Sequence, residues 1–185
     1  MASVLVPLAQ GCEELEAITV VDLLRRAGIT VVTAGLDDQP VRASRGVVLI
    51  PDVTLNEVIG QEFDMIVLPG GEPGATNLGK DERVTVLLQK MAQAGKYTAA
   101  ICAAPRVLAQ GGLLEGRRAT SYPGVLEPDS VAGLHLVNEA VVVDDRVITS
   151  RGPGTAMDFA LQLIEVLAGK QKREQVETGL QRITP

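Results

Sequence analysis

The chain has 185 residues, 46% hydrophobic and 22% charged, which suits one domain over 1–185 with a sizeable core. A net charge of −6 and a pI near 4.9 disfavour polyanion binding and leave no basic face for membranes. Aromatics are 2% with no Trp, which argues against base-stacking platforms for nucleic acid, and two cysteines suit a reducing, cytoplasmic setting better than a disulfide scaffold.

Met1 to Val6 enters a strand at once, without the basic start and long apolar core of a signal peptide, and no apolar run approaches the ~20 residues of a membrane helix. Ser3 to Ala9 reads as a first strand, nearly continuous in apolar residues, as strands buried on both faces are. Gln10-Gly11-Cys12 turns the chain into a helix from Glu13 to about Ala27. Glu13, Glu14 and Glu16 complement its positive end, and Arg25-Arg26 and Gly28 close it. Leu15, Ile18, Val20, Val21, Leu23 and Leu24 are expected to bury most of one side. Thr30 to Leu36 is a second strand, Asp37 to Pro40 a turn, and Val41 and Val47 to Ile50 are short strand pieces. Thr54 caps a brief helix to Ile59. Met65 to Leu68 is a third main strand that runs into Pro69-Gly70-Gly71-Glu72-Pro73-Gly74-Ala75, read as a loop. A helix from Glu82 to Ala94 precedes a strand from Thr98 to Ile101.

Cys102 falls on the corner between that strand and a helix from Ala104 to Gln110, where Pro105 fits the first turn. Beyond Gly111-Gly112 come a strand from Ala119 to Ser121, a hairpin of Val137–Val143 with Val147–Ser150, and a Thr155-x-x-Asp158 capping pattern before a helix to Ala168. A polar helix follows from about Lys172. The order of strands and helices predicts an α/β fold with a mainly parallel sheet covered by helices on both faces.

In such sheets functional groups gather beyond the carboxyl ends of the strands. Three distinctive loops sit there: Gly11 to Glu16, Pro69 to Ala75, and the Cys102 corner. Small neighbours Ala100, Ala103 and Ala104 let the backbone crowd that corner, as at a nucleophile elbow. The helix start behind it should ease ionisation of the thiol. Read locally, Cys102 is equally a reactive thiol or a small core residue. Gly70 and Gly71 can turn N–H groups toward a common point, with Ala103 as a further donor, or can simply make a tight turn. Glu13 reads as solvated. Glu14 and Glu16 point to different sides of the helix, so one should face the crevice, where burial would raise its pKa. Cys12 reads as an inert core thiol, with a resolving role as the alternative. His135 reads as a loop or strand-entry residue. No Gly-x-Gly-x-x-Gly or Walker pattern occurs, and no Cys-x-x-Cys or histidine pair, so nucleotide binding and a zinc or iron site are not expected.

Gly11-Cys12-Glu13-Glu14-Leu15-Glu16-Ala17, Val67-Leu68-Pro69-Gly70-Gly71, Ala99 to Pro105 and Thr149-Ser150-Arg151-Gly152-Pro153-Gly154-Thr155 closely resemble the ThiJ/PfpI superfamily, in the branch of the parkinsonism-associated protein and bacterial YajL-type proteins. The resemblance covers Ser3 to Leu180 and implies a flavodoxin-like three-layer sandwich. It implies that Cys102 is the oxidation-sensitive nucleophile and Glu16 the protonated partner of its sulfur. Gly70, Gly71 and Ala103 would line the anion pocket. It also implies a homodimer, with Asp22 and Arg45 at the interface close to the cysteine, and Arg45 and Tyr122 are counted with the pocket. Tyr122, in Thr120-Ser121-Tyr122-Pro123, stands where some relatives carry a histidine. The implied activity is cofactor-independent detoxification of α-oxoaldehydes such as methylglyoxal, or of their early thiol and amine adducts. The alternative is an oxidative-stress sensor or redox chaperone acting through Cys102. Amidase or protease chemistry is less expected, because the Gly-x-Cys-x-Gly elbow and late His-x-Glu pair of amidotransferases are missing.

Overall fold

A computed structural model describes residues 1–182. Its strands are β1 (Ser3–Leu8), β2 (Thr30–Gly35), β3 (Val41–Arg42), β4 (Val48–Leu49), β5 (Val53–Thr54), β6 (Met65–Leu68), β7 (Tyr97–Ile101), β8 (Arg118–Ala119), β9 (His135–Leu136), β10 (Val141–Asp144) and β11 (Val147–Ser150). The helices are α1 (Glu14–Arg26), α2 (Leu55–Val58), α3 (Gly74–Lys80), α4 (Glu82–Gln93), α5 (Pro105–Gln110), α6 (Ala156–Ala168) and α7 (Lys170–Gly179).

Seven strands form one sheet in the order β10-β11-β7-β6-β1-β2-β5, parallel throughout except for the β10–β11 hairpin. Helix α1 packs with α6 on one face, while α3, α4 and α5 pack together on the other. The inner strands are apolar because both faces are covered: Val4 to Val6, Met65 to Leu68 and Ala99 to Ile101 are all fully buried. The connection from β1 runs outward to β2, and that from β6 runs the opposite way to β7. The order therefore reverses between β1 and β6, which opens a crevice beyond their carboxyl ends.

Several expectations need correction. Leu15 and Ile18 of α1 are not in the core but 49% and 48% exposed; the buried side of α1 is carried by Ala17, Val20, Leu23 and Leu24. The stretch after Gly70-Gly71 is not loop throughout. It enters α3, which its two glycines and Asn77 disguise because they are weak helix formers. Thr155 does not cap α6 with its hydroxyl. That group instead donates to the Gly152 carbonyl at 2.9 Å and accepts from the Gly152 N–H at 3.1 Å. The short strand near 119 is β8, which pairs in parallel with β9, so Val137 to Ala140 lie outside β10. Thr54 does open α2, with Glu57 Oε2 accepting from its N–H and hydroxyl, each at 2.7 Å.

Candidate active site

The loops after β1, β6 and β7 meet in the crevice because those three strands are neighbours in the sheet. Cys102 follows β7 directly and has φ +64°, a left-handed conformation that a non-glycine residue holds only when its surroundings enforce it. Three bonds do so here. The Cys102 N–H donates to the Ser150 carbonyl at 2.9 Å, its own carbonyl accepts from the Tyr122 N–H at 2.9 Å, and the Ala104 N–H returns to Ile101 at 3.0 Å. The turn throws the side chain up from the sheet, where Cys102 is 8% exposed.

Glu16 lies in the first turn of α1 and is fully buried. Its Oε2 accepts the Gly70 N–H at 2.8 Å, while Oε1 is buried with no donor aimed at it. A carboxylate oxygen orphaned in this way is costly, and a proton on it removes the charge and supplies a donor. Burial is the main influence on Glu16 and pushes it up to about 7, against the opposing hydrogen bonds from Gly70 and the Cys102 thiol. Cys102 is pushed up to about 12, first by burial and then by the charge of Glu16 and the hydrogen bond to it. The Gly71 and Ala103 N–H groups act the other way, by donating to the sulfur. This corrects the expectation that the helix start alone would make the thiol acidic. The charge of Glu16 holds the proton on the thiol, and the two groups are coupled, so the titration belongs to the pair.

Gly70 differs from its expected part. Its N–H is consumed by Glu16, so it orients the carboxyl, while Gly71 and Ala103 are the donors that reach the sulfur. Space explains the glycines. A Cβ on Gly70 would lie 2.7 Å from Cys102 Cβ and 2.8 Å from Glu16 Oε2, and one on Gly71, at φ +87°, would lie 2.4 Å from the Glu13 nitrogen. Gly70→Ala is therefore expected to lower the stability of the fold by about 1–3 kcal/mol and to push Glu16 off its seat. A denaturant titration checks this, and a midpoint equal to wild type would mean that the crevice has slack.

Glu14 faces away from the crevice and is buried against the β3–β4 hairpin. Its carboxylate accepts from the Arg45 N–H at 3.0 Å and the Ser44 hydroxyl at 3.0 Å. Burial raises its pKa, but these donors, with its own N–H and that of Val47, outweigh burial and hold it below the ordinary range. Glu13 is not simply solvated, since it accepts from Ser44 Oγ at 2.7 Å and its N–H donates to the Gly70 carbonyl at 2.9 Å. Arg45 is not brought into the crevice of this chain. Its backbone rests on Glu14 and its side chain is exposed on the hairpin. Tyr122 lies beside the corner, half exposed, with its ring against Gly152. Cys12 is fully buried, and burial followed by the charge of Glu14 pushes its thiol up to about 12. His135 is exposed on β9 and joined by its N–H to Arg117.

One feature escaped the sequence reading. Arg106, one turn beyond Cys102, binds Glu72 and, at 2.5 Å, Thr76 Oγ1, which itself donates to Glu72 at 2.8 Å. The strap ties the glycine loop to the helix that follows the cysteine. Opposite charges in both segments were its only signal in the sequence.

A family model described as "DJ-1/PfpI family" matches residues 2–166. The chain is 47% identical over 180 residues to protein dj-1beta of Drosophila melanogaster, covering 96% of each. The crystal structure of that fly protein superposes with a TM-score of 0.94 at 46% identity, over 99% of both chains. A protein of Caenorhabditis elegans named glutathione-independent glyoxalase DJR-1.2 is 39% identical over 171 residues, covering 92% of this chain and 90% of that one. A structure of Toxoplasma gondii DJ-1 described as oxidized has a TM-score of 0.93 at 38% identity, over 100% of both chains.

Proposed function

The chain belongs to the DJ-1/PfpI family, and from that membership and the crevice we propose that it is a cofactor-independent, cysteine-dependent enzyme acting on α-oxoaldehydes such as methylglyoxal, or on their early adducts with thiols and amines. The observation that carries the reading is the buried Glu16 carboxyl, one oxygen of which has no partner, set against the Cys102 thiol at the left-handed corner after β7. The name of the nematode relative supports the substrate class.

In this reading the Cys102 sulfur attacks the aldehyde carbon, a C–S bond forms as the S–H bond breaks, and Glu16 takes the thiol proton and passes it to the aldehyde oxygen to give a hemithioacetal. The Gly71 and Ala103 N–H groups stabilise negative charge as it develops on oxygen. Glu16, now a carboxylate, removes the hydrogen of the former aldehyde carbon to leave an enediolate and returns it to the neighbouring carbon, while the hydroxyl proton of the first carbon passes to the oxygen of the second. The aldehyde carbon is thereby oxidised to a thioester while the ketone carbon is reduced to a carbinol, so no outside oxidant is needed. Water cleaves the thioester, releasing the hydroxy acid and restoring the thiol. A pKa of about 7 suits Glu16 to give and then take a proton near neutrality.

A second reading, oxidation of Cys102 as a stress signal, is supported by the same two N–H donors, which can hold oxygen atoms added to the sulfur. The description of the Toxoplasma structure as oxidized agrees with it.

We also propose a homodimer. Leu15 and Ile18 on α1, with Val47, Val48 and the 83% exposed Ile50 on the adjoining hairpin, make an apolar surface that a second copy would cover. Ile18→Glu is expected to yield a folded monomer in sedimentation equilibrium where wild type is a dimer. A monomeric wild type, or a dimeric variant, would rule this surface out as the interface.

A further inference from the structure

Beside the Cys102 corner lies a cavity of about 250 Å³ that the steps above leave unused, lined by Ser121, Tyr122, Leu136, Val137, Asn138 and Arg151, with Pro123 and Gly124 at its edge. Two of its walls are pinned to the cysteine backbone. Tyr122 donates its N–H to the Cys102 carbonyl, and Ser150, which precedes Arg151, accepts the Cys102 N–H, each at 2.9 Å. The cavity therefore lies against the main chain on both sides of Cys102.

Arg151 is the notable lining group. It is partly buried, and its guanidinium forms no ion pair among the described residues; only its main-chain N–H is bound, to the Ala140 carbonyl at 3.2 Å. Glu139, which precedes the residue whose carbonyl Arg151 binds, is engaged elsewhere, with Arg118. A chain of net charge −6 thus leaves this cation without an ion pair among the described residues, in a cavity that adjoins the main chain of Cys102. The guanidinium fork is matched to a planar carboxylate, which it can hold by two parallel hydrogen bonds. The Asn138 amide lines the same space, and the Ser121 hydroxyl is already committed to the Tyr122 carbonyl at 3.1 Å. Leu136 and Val137 add apolar surface to the lining.

We propose that this cavity is a carboxylate subsite built on Arg151, which favours reactive aldehydes bearing a carboxylate and retains the hydroxy-acid product. The proposal rests on the reading of Cys102 as the reacting thiol, because the proposed reaction turns a neutral aldehyde into an anion, the charge that the cation of the adjoining cavity would hold.

The test separates the cavity from the chemistry. Lactate and its neutral counterpart lactamide are titrated by NMR into wild type, Arg151→Gln and Arg151→Lys. Lactate is expected to bind wild type about tenfold more tightly than lactamide, with the preference lost in Arg151→Gln and partly kept in Arg151→Lys. Equal binding of the two compounds, binding of neither, or unchanged lactate binding in Arg151→Gln would overturn the proposal. The link to the thiol is read from alkylation of Cys102 by iodoacetate and iodoacetamide, where a C–S bond forms and iodide leaves. The rate ratio of the charged to the neutral reagent should fall about tenfold in Arg151→Gln. An unchanged ratio overturns the subsite. If neither reagent modifies Cys102 in wild type, the reading of a reacting thiol fails, while the lactate titration still decides the cavity.

Discussion

Cys102→Ser is expected to abolish lactate formation from methylglyoxal, by about a thousandfold or more, with the fold intact. Serine keeps the volume and the left-handed corner closely enough for folding, but its hydroxyl is far less acidic than a thiol, and no other described residue within the crevice offers a nucleophile. The second cysteine cannot substitute, since Cys12 is fully buried and its main chain is wedged against Gly71 and Gly74. The assay is run under reducing conditions with both proteins, followed by peroxide treatment and intact mass. Equal turnover by wild type and Cys102→Ser would remove the enzymatic reading. Negligible turnover by both, with two oxygens added to Cys102 of wild type at low peroxide, would leave the sensor as the better account.

The second large effect concerns Glu16, and it appears in stability as well as rate. Its carboxyl is raised in the folded chain to about 7 from 4.5, chiefly by burial. A group so raised lends stability that is complete below about pH 4.5 and is lost as pH rises through about 7, because folding then has to bury a charge. Relative to Glu16→Gln, wild type should therefore lose about 3 kcal/mol between those limits. Denaturant midpoints measured across the range check this, and parallel curves for the two proteins would show that the carboxyl is not held neutral. Glutamine keeps an oxygen for the Gly70 N–H and offers an N–H toward the sulfur. Leucine does neither and leaves the Gly70 donor buried without a partner, at a cost of about 1–3 kcal/mol. Both variants remove the carboxylate charge that raises the thiol, so both should titrate below wild type by ultraviolet absorbance, with Glu16→Gln the lower of the two. Both should also lose about 10²–10⁴ in turnover, because neither side chain can carry the proton between carbons. Matching thiol midpoints for Gln and Leu would mean that no hydrogen bond from position 16 reaches the sulfur.

Much of this was legible in the sequence because it depends on near neighbours. Continuous apolar runs at Val4–Val6, Met65–Leu68 and Ala99–Ile101, each followed by a helical pattern, are local statements of a sheet buried on both faces, and the sheet has that form. Pro105 after an apolar strand marked the turn at Cys102 for the same reason. What the sequence by itself did not determine are the relations between residues far apart along the chain. The adjacency of β1, β6 and β7 brings Glu16 onto the Gly70 N–H across 54 positions, consuming a donor that the family resemblance placed in an anion pocket. That placement, with burial, also reverses the direction in which the thiol is pushed, because a helix start is a local effect whereas desolvation and a neighbouring carboxylate are not. Leu15 and Ile18 satisfy the helical periodicity of buried residues, yet periodicity does not say how far the opposing layer extends, and α6 leaves them uncovered. The Arg151 cavity is likewise a product of tertiary structure alone: the register that binds Ser150 and Tyr122 to the two sides of Cys102 draws together segments whose separate sequences carry no sign of a common surface.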